Sequence, residues 1–324
     1  MPPAVCQTTT RGCGWKSPPD ALRSQAIVNK RFSPEIRSTK ILAWRAGALA
    51  KGQPDFLARE EPLEIRVRGR GVAVTMRSPG HDEELAAGFL LTEGLLRRPG
   101  DVLEIAHCRQ GGAAADGNLL NVFVSPSVDL NLERLTRHVF VSSSCGICGK
   151  ASIEAVQQQF PPVESRLVMS SQTLFKLPTR MRSGQETFQQ TGGLHAAAVF
   201  DQRGRLLVLR EDVGRHNAVD KAIGWGFLGR RLPFDRHALM VSGRASFEIM
   251  QKALAAGLPI VCAVSAPSSL AVEFARQSGQ TLVGFLRGDS FNVYSRPERI
   301  SDGTSTKVVE RAKRPTRRPR RKTS

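Results

Sequence analysis

The sequence has few aromatic residues and no long apolar run. Phe, Trp and Tyr make up 6% of its 324 residues, and Tyr occurs only once. Because no stretch of about 18 apolar residues is present, we expect no transmembrane helix. The N-terminus also lacks the apolar segment of a secretory signal peptide, so the cytoplasm is the expected location.

Acidic residues are scarce relative to basic ones, at 29 Asp and Glu against 47 Lys and Arg, a net charge of +18. Most of that excess lies at the two ends, +6 in residues 1–45 and +7 in residues 301–324. Both ends have the composition of segments that bury little apolar surface, so we predict disordered basic extensions there. The remaining body, residues 46–300, carries a net charge of only +5, which disfavours a nucleic-acid partner. The preferred interpretation of the two basic ends is therefore that they are solvated extensions.

Two nucleotide-binding signatures are missing. The sequence contains neither a Walker A loop nor a G-x-G-x-x-G segment, so ordinary ATPase and dinucleotide-dehydrogenase chemistry has no support. Residues 46–140 instead alternate between strand-like and helical patterns. The segment "EPLEIRVRGRGVAVTMRS" predicts a β-hairpin, and "DEELAAGFLLTEGLLRRPGD" predicts a helix that ends at Pro99-Gly100. We therefore expect a small α+β subdomain in this half.

Residues 165–300 show a different pattern. A hairpin in "LHAAAVFDQRGRLLVLRED" and a helix in "RHNAVDKAIGWGFL" are followed by a β-α-β-α-β alternation with near-continuous apolar strands. Such strands are typical of a parallel sheet that is buried on both faces. The predicted fold class is α/β, with this second part as the larger domain and residues 141–164 as a loop and helix that connect the two.

Three predicted strands of the second part end in polar loops. These are "VSGRAS" with Ser242, Gly243 and Arg244, then "VSAPSS", and then "FLRGDSFN" with Arg287. Ligands of open α/β sheets bind beyond the carboxyl ends of the strands. Two of these loops also lead into helix N-termini, which favour anions. Together the loops favour a phosphate-bearing ligand.

Two histidines lie near these loops in the predicted order of elements. His195 follows a Gly-Gly turn, and His216 begins a helical segment together with Arg215 and Asp220. Structural histidines and a solvated helix N-terminus are the simpler interpretations and remain open. The spacing of His216 and Asp220 places both on one helical face.

The segment "SSSCGICGK" contains two of the six cysteines, Cys145 and Cys148. Adjacent glycines leave room around both sulfurs, and Lys150 and a following helix favour thiolates. A C-x-x-C pair supplies only two of the four ligands of structural zinc, and the surroundings do not resemble a thioredoxin. A redox pair, a zinc site and a persulfide carrier all remain open on these grounds. Cys262, in the apolar run "LPIVCAVSA", is expected to be buried and inert.

A deaminase zinc site is rejected on its missing ligands. That site requires H-x-E followed by P-C-x-x-C. Here "HNA" has no glutamate, "SGRAS" has no cysteine, and the C-x-x-C pair comes earlier in the chain.

Six motifs in a fixed order resemble the FdhD/NarQ family of formate dehydrogenase accessory sulfur carriers. They are "SSSCGICGK", "TGGLHAAA", "EDVGRHNAVDK", "SGRASFEIMQK", "SAPSSLAVEFA" and "TLVGFLRG", and the likeness covers roughly residues 45–300. The resemblance implies a cytoplasmic homodimer whose second domain is a three-layer α/β/α unit of the cytidine deaminase-like type. It also implies a sulfurtransferase that receives persulfide sulfur from a cysteine desulfurase.

The resemblance also implies the acceptor of the sulfur and the residues involved. The acceptor is the molybdenum cofactor, bis-molybdopterin guanine dinucleotide, which then enters the catalytic subunit of a formate dehydrogenase. Cys145 would carry the persulfide, with Cys148 as the supporting thiol and no bound zinc. The family's cofactor-binding segment corresponds here to Phe285, Leu286, Arg287, Gly288, Asp289 and Ser290. Arg244, Ser242, Gly243, His195 and His216 complete the expected site, and a C-x-x-C redox or zinc module without sulfur transfer is the alternative.

Overall fold

The computed structural model describes residues 35–50, 52–108, 117–129 and 159–302. Within these residues the chain forms a four-stranded and a six-stranded mixed sheet, three two-stranded pairings and six α-helices. Cys145, Cys148 and the rest of residues 141–158, the larger part of the predicted connecting segment 141–164, lie outside the described residues.

The described chain opens with a long antiparallel hairpin. Its strands are β1 (Ile36–Ile41), β2 (Trp44–Arg45), β3 (Ala48–Leu49) and β4 (Gln53–Ala58). β1 pairs with β4 along its whole length, and β2 pairs with β3. Residues 36–45, predicted as part of the disordered extension, therefore form strands. Their basic side chains are exposed and Ile36 is buried, so a basic composition does not prevent backbone pairing.

The four-stranded sheet contains the first predicted hairpin. Its members are β5 (Glu61–Val67), β6 (Arg70–Arg77), β7 (Val102–His107) and β8 (Leu119–Val124), in the order β6-β5-β8-β7. β5 and β6 pair antiparallel, as predicted. Helix α1 (Asp82–Thr92) follows β6 and ends earlier than predicted. Gly94 takes a left-handed φ of 75° just beyond the helix, a conformation that stops a helix before Pro99.

The second part contains the predicted β-α-β-α-β alternation. Its elements are β9 (Met169–Ser170), α2 (Ser171–Gly184), α3 (Glu186–Thr191), β10 (His195–Asp201), β11 (Leu206–Asp212), α4 (Arg215–Leu228), β12 (His237–Val241), α5 (Phe247–Ala255), β13 (Ile260–Ala263), α6 (Ser269–Gln277), β14 (Thr281–Arg287), β15 (Ser290–Ser295) and β16 (Ile300–Ser301). The six-stranded sheet has the order β11-β10-β12-β13-β14-β15. β12, β13 and β14 are parallel, which confirms the prediction from their apolar runs.

The six-stranded sheet is covered on both faces. One face packs against α2 through Leu174, Leu177 and Met181. The other face packs against α4, α5 and α6, with Phe247 and Phe274 in contact edge to face. The α/β class and its three-layer arrangement are therefore confirmed, because each strand of the centre is buried by helices on both sides. The cytidine deaminase-like assignment stays a prediction.

Helices α1 and α4 join the two larger sheets into one core. That core runs from Leu63 and Ile65 of β5 through both helices to Val199 and Val241 of the six-stranded sheet. The two helices approach so closely that a Cβ at Gly88 or Gly224 would collide with the carbonyl group of Asp220 or Glu84, respectively. The predicted domain boundaries at residues 140 and 165 stay predictions.

Candidate functional site

The loops that follow β12, β13 and β14 lie side by side at one edge of the sheet. Ala245 and Pro267 form an isolated parallel bridge, and the Ser268 amide donates to the Ala245 carbonyl at 3.0 Å. The Phe285 amide donates to the Ser265 carbonyl at 3.2 Å. The parallel strands end at the same edge, so their loops meet there, as the sequence predicts.

The end of β14 and the turn into β15 present most, but not all, of the predicted segment 285–290. Phe285 and Gly288 both have left-handed backbone angles, with φ of 54° and 55°. Phe285 and Arg287 are exposed, and Asp289 and Ser290 are exposed beside them. Leu286, in contrast, is fully buried in the core on the α2 side. Its side chain therefore stabilises the sheet and is not available to a ligand.

The side chain of Arg287 connects two of the loops. Its Nε donates to the Val264 carbonyl at 2.9 Å, and its guanidinium carbon lies 6.0 Å from the centre of the Phe285 ring. The Nε of Arg287 is thus held at the second loop while the residue as a whole stays exposed. This arrangement fixes a positive charge at the edge of the sheet, where an anionic group is favoured.

The first loop is bound to β10 through its serine. The Ala196 amide donates to Ser242 Oγ at 2.8 Å, and the Ser242 amide donates to the Ala196 carbonyl at 2.9 Å. Ser242 therefore fixes the path of the loop toward His195, the first residue of β10. Arg244, two residues further on, is exposed and retains its guanidinium for contact with a partner or ligand.

Gly243 permits a close approach between this loop and two charged or titratable side chains. A Cβ at Gly243 would lie 3.3 Å from His195 Nδ1 and 3.8 Å from Arg215 Cδ. His216, the next residue of α4, has its Nε2 3.3 Å from Ser246 Oγ and 3.8 Å from Glu248 Oε2. We call His195, Arg215, His216, Gly243 and Ser246 the histidine-arginine cluster.

The structure separates two residues that the helical spacing placed on one face. His216 faces Ser246 and Glu248 at the start of α5, whereas Asp220 is buried against Lys252 at 2.9 Å. Asp220 also accepts a hydrogen bond from Thr92 of α1. Asp220 is thus part of the helix packing and lies apart from the candidate site.

Burial and the neighbouring guanidinium both keep the two histidines neutral. Burial lowers the pKa of His195, and the positive charge of Arg215 lowers it further. The same two causes, in the same order, lower the pKa of His216 to about 4. At neutral pH the cluster therefore presents two neutral imidazoles and one guanidinium, so each ring has one N–H donor and one nitrogen acceptor.

The position of the cluster depends on Asp212, which sequence reasoning did not single out. Asp212 is fully buried at the end of β11 and pairs in register with His195. Its carboxylate accepts from the amides of Ser78 and Gly214 and from Lys221 Nζ at 2.7 Å. These bonds fix the turn that presents Arg215 and His216. The sequence showed only an acid before a helix, with no local sign of its burial.

Two further expectations concern cysteine and metal chemistry. Cys262 is buried, as predicted, and burial raises the pKa of its thiol to about 12, so it is inert. Within residues 35–50, 52–108, 117–129 and 159–302, no three His, Cys, Asp or Glu side chains are grouped to bind a metal ion. No helix of the described chain is long and apolar enough to cross a membrane.

Comparisons with known proteins agree on one family. The model of the FdhD/NarQ family matches residues 58–301. The sulfur carrier protein FdhD of Mycobacterium tuberculosis is 52% identical over 256 residues, 77% of this chain and 93% of the relative. That of Sulfolobus acidocaldarius is 44% identical over 266 residues, 82% of this chain and 99% of the relative. A crystal structure described as a formate dehydrogenase accessory protein from Desulfotalea psychrophila matches with a TM-score of 0.66 and 28% identity, over 83% of this chain and 100% of that chain.

Proposed function

The chain belongs to the FdhD/NarQ family, and from this premise we propose that it is a sulfur carrier required for the maturation of a formate dehydrogenase. The observation that carries the proposal is the match to curated sulfur carrier proteins over most of both chains. Its partners in this role are a cysteine desulfurase as donor and the formate dehydrogenase catalytic subunit as the final recipient. We propose that it acts in the cytoplasm as a homodimer.

The proposed substrate that accepts the sulfur is the molybdenum cofactor in its bis-molybdopterin guanine dinucleotide form. The loops after β12, β13 and β14 support this proposal, because they meet at one edge and carry Arg244 and Arg287. Exposed guanidinium groups bind phosphate oxygens well, and the two guanine dinucleotide arms of the cofactor carry phosphate groups. The exposed Phe285 offers a face on which a flat ring can stack.

The proposed chemistry uses Cys145 and Cys148, which lie outside the described residues. The Cys145 thiolate attacks the outer sulfur of the desulfurase persulfide, forms Cys145–S–SH and releases the desulfurase cysteine as a thiolate. The Cys148 thiolate then attacks the Cys145 sulfur and releases hydrosulfide toward the cofactor. The two cysteines end as a disulfide, so the two electrons needed for hydrosulfide come from the thiols.

Intact-mass measurement tests the carrier role directly. The protein, purified without oxygen, is incubated with a cysteine desulfurase and cysteine, and its mass and metal content are measured. We expect mass increments of one sulfur atom that a reductant removes and that are absent in Cys145→Ser. Cys108→Ser is the matched control, because Cys108 is a partly exposed cysteine outside the proposed pair, and this variant should load sulfur as the unaltered protein does.

If the protein does not store sulfur, the same measurement shows which alternative function the C-x-x-C pair has. Stoichiometric zinc with no added sulfur would show that the C-x-x-C pair is a metal site, and a cycling disulfide without stored sulfur would show a redox module. Loading that is equal in Cys145→Ser and in the unaltered protein would contradict the assignment of the carrier cysteine.

A further inference from the structure

We propose that Arg215, which lies beside Gly243 and directly precedes His216, is an anion-binding residue of the candidate site, and that its guanidinium donates to a phosphoryl oxygen of the ligand. The phosphate contacts predicted from the sequence are Arg244, Arg287 and the segment 285–290. The histidine-arginine cluster would add a second anion contact on the β10 side of the same edge. The identity of the natural ligand rests on the proposed function, whereas the anion site itself does not.

The first observation is an enclosed donor without an acceptor. Arg215 Nε is inaccessible to solvent and has no hydrogen-bond partner in the part of the chain that the structure describes. Buried donors in folded proteins are nearly always paired, because an unpaired donor loses its hydration without gaining a hydrogen bond in return. Among the residues that the structure describes, Arg215 also has no ion pair of the kind that Arg210 forms with Glu84 or Arg77 forms with Asp82.

The second observation is the way in which the backbone makes room around this group. A Cβ at residue 243 would lie 3.3 Å from His195 Nδ1, a tight contact, and 3.8 Å from Arg215 Cδ, so the absence of a side chain eases the approach of the first loop to His195. A glycine at such a point allows a ligand to approach the main chain closely. His195, on the other side, is held by the pairing of β10 with β11, opposite Asp212.

The third observation is the electrostatic state of the neighbouring rings. Both histidines have lowered pKa values, with burial as the first cause and the charge of Arg215 as the second. An anion bound to Arg215 would offset that charge and stabilise the protonated imidazoles. The pKa of His195 and the pKa of His216 must then rise, so the two rings report on occupancy of the site.

The experiment titrates inorganic pyrophosphate into the full-length protein at constant ionic strength and follows the histidine ring signals by NMR as a function of pH. His195→Gln and His216→Gln assign the two signals. Arg215→Met removes the charge and the donor. Arg203→Met is the matched control, because Arg203 is an exposed arginine in the turn between β10 and β11, at the opposite end of β10 from His195.

We expect unaltered protein and Arg203→Met to bind pyrophosphate with the same Kd. Binding should raise the pKa of His195 and the pKa of His216 but leave His237, at the far end of β12, unchanged. In Arg215→Met the Kd should rise about tenfold or more, the range expected when a charged hydrogen bond is lost. The pKa rise of the two histidines should disappear with it.

Three results would overturn the proposal: no binding to the unaltered protein, equal Kd values for Arg215→Met and Arg203→Met, or binding that leaves both histidines unchanged. If Arg215→Met does not fold, Arg215→Lys decides the question. Lysine keeps the charge but lacks the planar fork and Nε–H, so the Kd should still rise several-fold. An unchanged Kd in that variant counts against the proposal.

Sulfur loading, measured by mass on the same preparations, separates this proposal from the proposed function. Equal loading of unaltered protein and Arg215→Met, together with a negative pyrophosphate result, contradicts the anion site alone. No loading of the unaltered protein, together with pyrophosphate bound at Arg215, contradicts the carrier role and leaves the anion site standing.

Discussion

At the scale of single residues, Asp212 is the most consequential side chain near the candidate site. Replacement of Asp212 by Asn removes the negative charge that faces the buried Lys221 ammonium, 2.7 Å away, and puts an N–H donor in place of an acceptor. Breaking a buried ion pair on one side costs about 3–5 kcal/mol of unfolding free energy. Urea unfolding of Asp212→Asn measures this loss.

The control for Asp212→Asn is the exposed ion pair between Arg296 and Glu298. Glu298→Gln should change the free energy of unfolding by less than about 1 kcal/mol, because solvent screens such pairs. Equal effects of the two variants would show that the buried network around Asp212 is not what stabilises the turn before α4.

His216 should make stability depend on pH in a defined direction. Its folded pKa of about 4 lies below the unfolded value, so the unfolded chain binds more protons and stability falls as the pH falls through 6.5 toward 4. Between about pH 7 and about pH 5 this contribution amounts to about 2 kcal/mol. His216→Gln should flatten the curve of unfolding free energy against pH by that amount, as measured by urea unfolding at each pH. Parallel curves for the two proteins would contradict the lowered pKa.

Several residues at this edge of the sheet could be named from the sequence, and their role in binding stays a prediction. Arg244, Arg287 and the two histidines were named, because charged and titratable residues next to strand ends are visible in the chain. The burial of Leu286 was not predicted. Strand β14 continues to Arg287, and its alternation turns Leu286 into the core while Phe285 and Arg287 on either side are exposed. The contact of His216 with Ser246 and Glu248 was also missed, because it joins two helices that are distant in sequence.

At the scale of elements, the contact between α1 and α4 should be the least tolerant of added volume. An alanine at Gly88 would collide with main-chain atoms of Asp220 on α4, which cannot rotate away as a side chain can. We expect Gly88→Ala to lower the free energy of unfolding by about 3 kcal/mol or more. Gly100→Ala is the matched control, since a Cβ at Gly100 meets no atom within 4 Å. Similar denaturation midpoints for the two variants would contradict this account of the helix contact.

Elements with an unambiguous hydrophobic period were predicted, and elements made of polar residues were not. The strands β12, β13 and β14 and the helices between them were correct, because buried parallel strands are almost entirely apolar. β1 was missed because basic and hydroxyl residues fill its centre, and β4 was missed because a proline and an acid interrupt its short apolar pattern. Their pairing is fixed by backbone hydrogen bonds, which the side-chain pattern does not reveal.

At the scale of the whole molecule, charge is distributed unevenly between the body and the ends. Residues 303–324 contain nine basic residues and only one acidic residue, whereas the family match ends at residue 301. Attraction of such a segment to polyanions is electrostatic, lacks sequence preference and weakens steeply with salt. The proposed sulfur chemistry, in contrast, depends on Cys145 and on the edge of the six-stranded sheet.

These two activities should therefore separate when the C-terminal segment is removed. A chain that ends at residue 302 should load sulfur to the same extent as the full-length protein in the intact-mass assay. Its binding to random-sequence duplex DNA at low salt should weaken by about tenfold or more, because about eight net positive charges are lost. If DNA binding instead persists after truncation and sulfur loading fails, the positive charge of the body carries a nucleic-acid function and the segment supports the sulfur chemistry.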